Sequence, residues 1–208
     1  MRLQNPFAAL APVGLDSQVL TVLSRSRDHL TADQIHRVLP EHGSLSGVRK
    51  SLDRLLRQGI VSERAAGHTS GYALNQDHLL INAVLMVADA KSALTTRIRE
   101  TVQQQFSFEP TLVVMFGSAA RGDMSDDSDI DLLFVIPDGV PEEQADDQLS
   151  DLAHSVLTWT GNTVDLLSYR EEEVISAPIF NSVIREGIEI LGDMAWLRRA
   201  SRRAKAAS

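Results

Sequence analysis

Between Leu112 and Ile136 an apolar run, LVVMF, ends in Gly117-Ser118; ten residues later Asp129-Ile130-Asp131 leads into a second apolar run, LLFVI. No other segment of the chain constrains the fold as tightly. Both runs are short, apolar and bounded by glycine or polar loop residues, the signature of buried strands. Side chains at i and i+2 of a strand share one face, so Asp129 and Asp131 present their carboxylates together, roughly 7 Å apart along the backbone. Carboxylates held that close repel, and a strand interior offers them little water; a shared divalent cation resolves the conflict. Oxygen-only donors favour Mg²⁺ or Mn²⁺ over zinc. Gly117 lets the backbone come close to a ligand, and Ser118 adds a hydroxyl beside the amides of the turn, which together make a cradle for a triphosphate. A lone Asp-x-Asp often marks only an acidic strand end. The spaced arrangement of strand, Gly-Ser, ten residues, Asp-x-Asp and strand is far more specific.

Around this segment strands alternate with helices: TLVVMF, DIDLLFVI, a helical stretch near 142–159, NTVDLLSY, and NSVIREGIEIL as the end of a helix and a last strand. The alternation predicts an α/β or α+β domain over about 109–193, with Pro110 at its boundary. That region carries 3 Lys/Arg against 19 Asp/Glu. A domain so acidic binds phosphates only with metal cations between.

Gly117, Ser118, Arg121, Gly122, Ser128, Asp129 and Asp131 stand in an order that resembles the nucleotidyltransferase superfamily of DNA polymerase beta, and within it the minimal nucleotidyltransferases. The resemblance implies an α+β domain with a mixed sheet and a third carboxylate on a neighbouring strand, for which Asp165 in NTVDLLSY is the matching residue. It makes Asp129, Asp131 and Asp165 the catalytic metal ligands, with Asp165 beside the acceptor hydroxyl, and it assigns nucleotide contacts to Gly117, Ser118, Arg121 and Ser128. Arg121 is equally able to pair with an acid of its own loop, and Ser128 to order that loop; Asp123, Asp126 and Asp127 read as solvated loop acids. The expected chemistry is two-metal transfer of a nucleoside monophosphate, AMP from ATP in the first instance, with Mg²⁺ or Mn²⁺. The acceptor is a protein hydroxyl, an RNA end or a small molecule such as an aminoglycoside. Minimal nucleotidyltransferases frequently belong to toxin–antitoxin pairs, which makes a cognate toxin one implied partner.

The front of the chain follows another pattern. Apolar residues at helical spacing in LDSQVLTVLSRS, TADQIHRVLP and SLSGVRKSLDRLLRQG predict three helices, and IVSER and GYALN predict two strands joined by AAGHTS. This order resembles a winged helix-turn-helix domain, in which the third helix enters the major groove and the hairpin lies along the backbone. The DNA-facing set is then Ser44, Ser46, Arg49, Lys50 and Arg57, with Arg64 and His68 near the wing. Residues 1–75 carry 9 Lys/Arg against 6 Asp/Glu, a modest excess for a nucleic-acid binder. Residues 76–108 contain no Pro or Gly and repeat Leu80, Val84, Val87, Leu94, Ile98 and Val102, which predicts a long connecting helix whose stripe could serve as a homodimer face. The basic tail, 194–208, is helix-compatible and expected to fray. The predicted organisation is therefore α+β: winged helix over 1–75, connecting helix over 76–108, nucleotidyltransferase domain over 109–193, basic tail over 194–208.

Composition excludes several other classes. There is no cysteine, hence no disulfide, thiolate zinc site or Cys nucleophile, as suits a reducing cytoplasm. No apolar run approaches the ~18–20 residues of a membrane span, and MRLQNPFAALAPVGLD does not read as a signal peptide. GxxxxGK[ST], HExxH and GxSxG are absent. One reading from another class stays open: a transcriptional regulator that senses nucleotide through its C-terminal domain with little or no transfer.

Overall fold

The computed structural model of the protein describes residues 1–11, 14–67, 69–125, 127–175 and 177–206. The chain divides into two compact units, Met1–Lys91 and Ser92–Ser208.

The first unit runs α1 (Asp16–Ser24), α2 (Ala32–Arg37), α3 (Leu45–Arg57), β1 (Val61–Ala66), β2 (Thr69–Leu74) and α4 (Ile81–Ala88). Local chemistry sets the helix ends. The Thr31 hydroxyl accepts from the Gln34 amide while the Gln34 side chain accepts from the Thr31 amide, a capping box that starts α2. Ser44 caps α3 by accepting from the Gly47 amide, and Gly59, at φ +75°, stops it. Val48, Leu52 and Leu55 turn inward from α3 onto Val19, Leu23, Ile35, Val61 and Leu74. Asp16 ties α1 to α3, accepting from the Ser51 hydroxyl at 2.6 Å and from Arg54 Nη2 at 2.6 Å. β1 and β2 pair antiparallel from Val61↔Leu74 to Ala66↔Thr69, and Leu30 adds a bridge to Tyr72.

The one helix expected over 76–108 is two. The Asn75 side chain accepts from the Asp77 amide and holds the chain in turns up to Leu80, so α4 begins only at Ile81. Asp89, at φ −87° and ψ 10°, leaves helical geometry and separates α4 from α5 (Ala90–Gln105). None of the eight residues of α4 is buried, and Leu79 beside it and Met86 on it are 93% and 76% exposed.

The second unit continues with β3 (Leu112–Phe116), α6 (Gly117–Arg121), β4 (Ile130–Ile136), α7 (Glu142–Thr160), β5 (Val164–Arg170), α8 (Pro178–Glu186), β6 (Ile188–Gly192) and α9 (Met194–Ala206). Its four strands order as β5-β4-β3-β6; β4 and β5 are parallel, and β3 is antiparallel to both of its neighbours. This is the mixed sheet of an α+β unit. β3 is buried along its whole length, and β4 everywhere except at Asp131. Leu112, Val114, Leu133 and Val135 form one side of a core closed by Phe180 and Val183 of α8 and Leu197 of α9. Leu197 is fully buried and anchors α9, a helix of 13 residues that includes the helix-compatible start of the basic tail. No helix of the described residues is long and apolar enough to cross a membrane.

Candidate active site

The central strands deliver the acidic pair to one end of the sheet. Asp131 stands opposite Phe116 across β3 and opposite Asp165 across β4–β5. Residues opposed in register point to the same face of a sheet, so Asp131 and Asp165 share a side, and Asp129 follows by its spacing of two. Asp129 lies just ahead of β4 rather than within it, and is exposed; Asp131 is half-buried and Asp165 exposed. Burial raises the Asp131 carboxyl above its ordinary value, and the charges of Asp165 and Asp129 raise it further, against the opposing pull of Arg121.

The backbone at the end of β3 is shaped around this carboxylate. Gly117 has φ +64°, and a Cβ placed there would stand 1.9 Å from Asp131 Oδ2, so any side chain at this position strains the backbone and displaces the Asp131 carboxylate. From Gly117 the chain makes the single turn of α6, which Gly122 closes at φ +83°. Ser118 is half-buried at the start of that turn, and its carbonyl accepts from the amides of Gly122 and Asp123. Arg121 reaches two acids instead of standing open: its Nε donates to Asp123 at 3.1 Å and its Nη1 to Glu186, at the end of α8, at 3.3 Å. Ser128 orders the loop, its Oγ accepting from the Ser125 amide at 2.8 Å. Of the loop acids, Asp123 and Asp127 are exposed, and Asp126 lies outside the described residues.

Two residues of this end gave no sequence signal. Thr163 donates its hydroxyl to Asp129 Oδ1, and the buried Asn162 donates from Nδ2 to the Ser128 carbonyl at 2.9 Å. Both precede β5, and no spacing rule links them to a motif more than thirty residues earlier.

The donor set fits a hard divalent cation in kind: every candidate ligand is a carboxylate oxygen, and Asp131 sits in an excess of negative charge that a cation relieves. The fit is to a pair with a third arm, since no three acidic or histidine side chains among the described residues stand together as a ready metal cage. A cavity of about 480 Å³ lies where β3 begins, the opposite end from the acids, and is lined by Phe106, Phe108, Pro110 and Leu191. The acids stand at an open end of the sheet, with Asp129 and Asp165 exposed.

In the first unit, Ser46, Arg49, Lys50 and Arg57 share one face of α3 by helical spacing and are exposed, as are Ser44 and Arg64. Asp53 shares that face, and Arg49 approaches Asp33 at 3.9 Å. His68 lies outside the described residues.

Residues 96–185 match the family model described as a nucleotidyltransferase domain. That span runs from within α5 to the last turn of α8 and includes Asp129, Asp131 and Asp165. No curated protein matches the chain. Among solved structures, the chain is similar to a toxin–antitoxin structure with AMP-PNP, at 18% identity and a TM-score of 0.41, covering 54% of this chain and 85% of that one. It is also similar to a structure of the tri-AMPylated Shewanella oneidensis HEPN toxin in complex with MNT antitoxin, at 14% identity and a TM-score of 0.38, covering 56% and 85%. A third is the toxin–antitoxin MntA-HepT, at 16% identity and a TM-score of 0.38, with the same coverage.

Proposed function

We propose that the protein is a nucleotidyltransferase that moves a nucleoside monophosphate, AMP from ATP in the first instance, onto a protein or RNA hydroxyl. The observation that carries this reading is the opposition of Asp131 and Asp165 across β4–β5, with Gly117 left without a side chain so that the Asp131 carboxylate fits against the turn after β3. The match of residues 96–185 to the nucleotidyltransferase domain supports it independently.

In this reading Asp129, Asp131 and Asp165 hold Mg²⁺ or Mn²⁺. The bound cations supply charge neutralisation between these acids and the triphosphate and stabilise the attacking and leaving oxygens. The Gly117-Ser118 turn takes the phosphates. Arg121 exchanges the Asp123 carboxylate for a phosphate oxygen while Glu186 retains it at the site. Asp165, on the exposed edge strand, accepts the proton of the acceptor hydroxyl. The hydroxyl oxygen then forms a bond to the α-phosphorus, the bond from that phosphorus to the bridging oxygen breaks, and pyrophosphate leaves with the electron pair. Among acceptors, a cognate toxin protein is the first to test. The first unit, as a winged helix-turn-helix reading DNA through α3, adds a regulatory role.

The test is label transfer. Purified protein is incubated with each α-³²P-labelled NTP and Mg²⁺ or Mn²⁺, with host lysate, bulk tRNA or buffer alone, beside Asp131→Ala. Label on a protein or RNA band with the wild type alone is the expected result, and it identifies the acceptor class. Nucleotide binding without transfer to any of these acceptors overturns the transferase reading in favour of a nucleotide-sensing regulator.

A further inference from the structure

The turn between α7 and β5 grips the strand end that carries Asp129. Gly161, at φ +74°, ends α7 and reverses the chain. Three consecutive residues of the acidic segment are then held by the two residues that follow. Asn162 Nδ2 donates to the Ser128 carbonyl, the Thr163 hydroxyl donates to Asp129 Oδ1, and the Thr163 carbonyl accepts from the Ile130 amide at 2.9 Å. The grip is itself anchored, because Thr160 Oγ1 donates to the Val156 carbonyl at 2.7 Å and accepts from the Asn162 amide at 3.1 Å. Asn162 is only 4% exposed, so its amide is fixed by packing, whereas Thr163 and Asp129 are exposed.

This grip answers a mechanical difficulty. Asp131 is placed by the ladders of β4 with both of its neighbours, but Asp129 precedes the strand at the end of the loop that follows α6. Spacing alone puts its side chain on the correct face and does not fix its rotamer. We propose that Thr163 and Asn162 are positioning residues for Asp129: Asn162 sets the backbone and Thr163 sets the carboxylate. A carboxylate has two oxygens, and a hydroxyl donating to Oδ1 fixes the rotation of the group and with it the direction of Oδ2. Oriented in this way, Asp129 completes the Asp131–Asp165 pair with the order of ligand control that outer-shell hydrogen bonds give metal sites. The inference rests on the reading of Asp129 as a cation ligand.

The experiment measures Mn²⁺ binding to the full chain by paramagnetic resonance, without nucleotide or acceptor, for wild type, Asp129→Asn, Thr163→Val and Thr163→Ser. Thr163→Val is expected to weaken Mn²⁺ binding roughly 10–100-fold. Thr163→Ser should bind near the wild-type value, and both variants should melt close to it, since Thr163 is exposed. Hydrogen exchange over 128–130 is expected to rise in Asn162→Ala. Asp129→Asn binding Mn²⁺ like the wild type overturns the ligand reading and this inference together. Loss of binding in Asp129→Asn with wild-type binding in Thr163→Val, or failure of Thr163→Ser to restore it, overturns this inference alone. Unchanged exchange in Asn162→Ala overturns the role of Asn162.

Discussion

Folding and chemistry pull in opposite directions at Asp131. Its carboxyl is raised by burial first, then by the charges of Asp165 and Asp129. A carboxyl raised on folding favours the native state below the ordinary Asp range, and that contribution is lost as pH rises through the shifted value. At neutral pH the ionised group therefore weakens the fold. Asp131→Asn should abolish transfer and raise the melting temperature at pH 7, by about 2–4 °C if relief of the opposed charges contributes about 1 kcal/mol. The gain should shrink as the wild-type carboxyl becomes protonated, which thermal unfolding between pH 3 and 8 will follow; a lower melting temperature at pH 7 refutes it. The sequence placed Asp131 on a strand by its apolar run and marked Gly117 for a close backbone approach, which in the structure is made by the Asp131 carboxylate. Asn162 and Thr163 were not legible in it, because they meet Ser128 and Asp129 only through the parallel pairing of β4 with β5, which local pattern does not encode.

Among the elements, helix ends with a side-chain cap were readable and those set by competition were not. Thr31 and Ser44 cap the starts of α2 and α3 within the segments whose apolar spacing predicts helices, whereas the pattern over 76–108 hides the Asn75 turn and the break at Asp89. Apolar periodicity reports which faces are buried and carries little about one-residue interruptions. The tie between α1 and α3 was equally silent, since Asp16, Ser51 and Arg54 lie 35 and 38 residues apart. Burial pushes the Asp16 carboxyl up, but the hydrogen bonds from Arg54 and Ser51 and the charge of Arg54 outweigh it, and the net shift is downward. A lowered carboxyl stabilises the fold above its ordinary value and loses that contribution as pH falls through the lowered one. Asp16→Ala should thus destabilise the first unit at pH 7, by about 1 kcal/mol from the Ser51 hydrogen bond alone. Denaturant unfolding should show the difference from wild type closing below the carboxylate range. A difference that persists unchanged in acid would assign the loss to packing instead.

Across the whole molecule, charge divides along the chain. Residues 1–75 hold 9 basic against 6 acidic residues, and 109–193 hold 3 against 19. A net charge of −8 conceals this division. A duplex is repelled by the acidic stretch, so DNA affinity has to come from basic groups outside it, among them Arg49, Lys50 and Arg57 on the exposed face of α3, which Asp53 shares, and Arg64. Phosphate contacts release counterions, and each contact removed lowers the slope of log K against log salt by about 1. The double change Arg49→Ala with Lys50→Ala should therefore weaken duplex binding, with a slope about 2 smaller, as read by fluorescence anisotropy between 50 and 200 mM salt. Label transfer by the same protein should match the wild type, because neither residue lies in the unit that holds the acids. Arg64→Ala is expected to lower the slope by about 1 as a wing contact. If the double variant binds duplex with the wild-type slope, α3 is a solvated face and the first unit a packing module. If transfer falls as well, the two units are coupled, and DNA occupancy becomes a regulator of the chemistry.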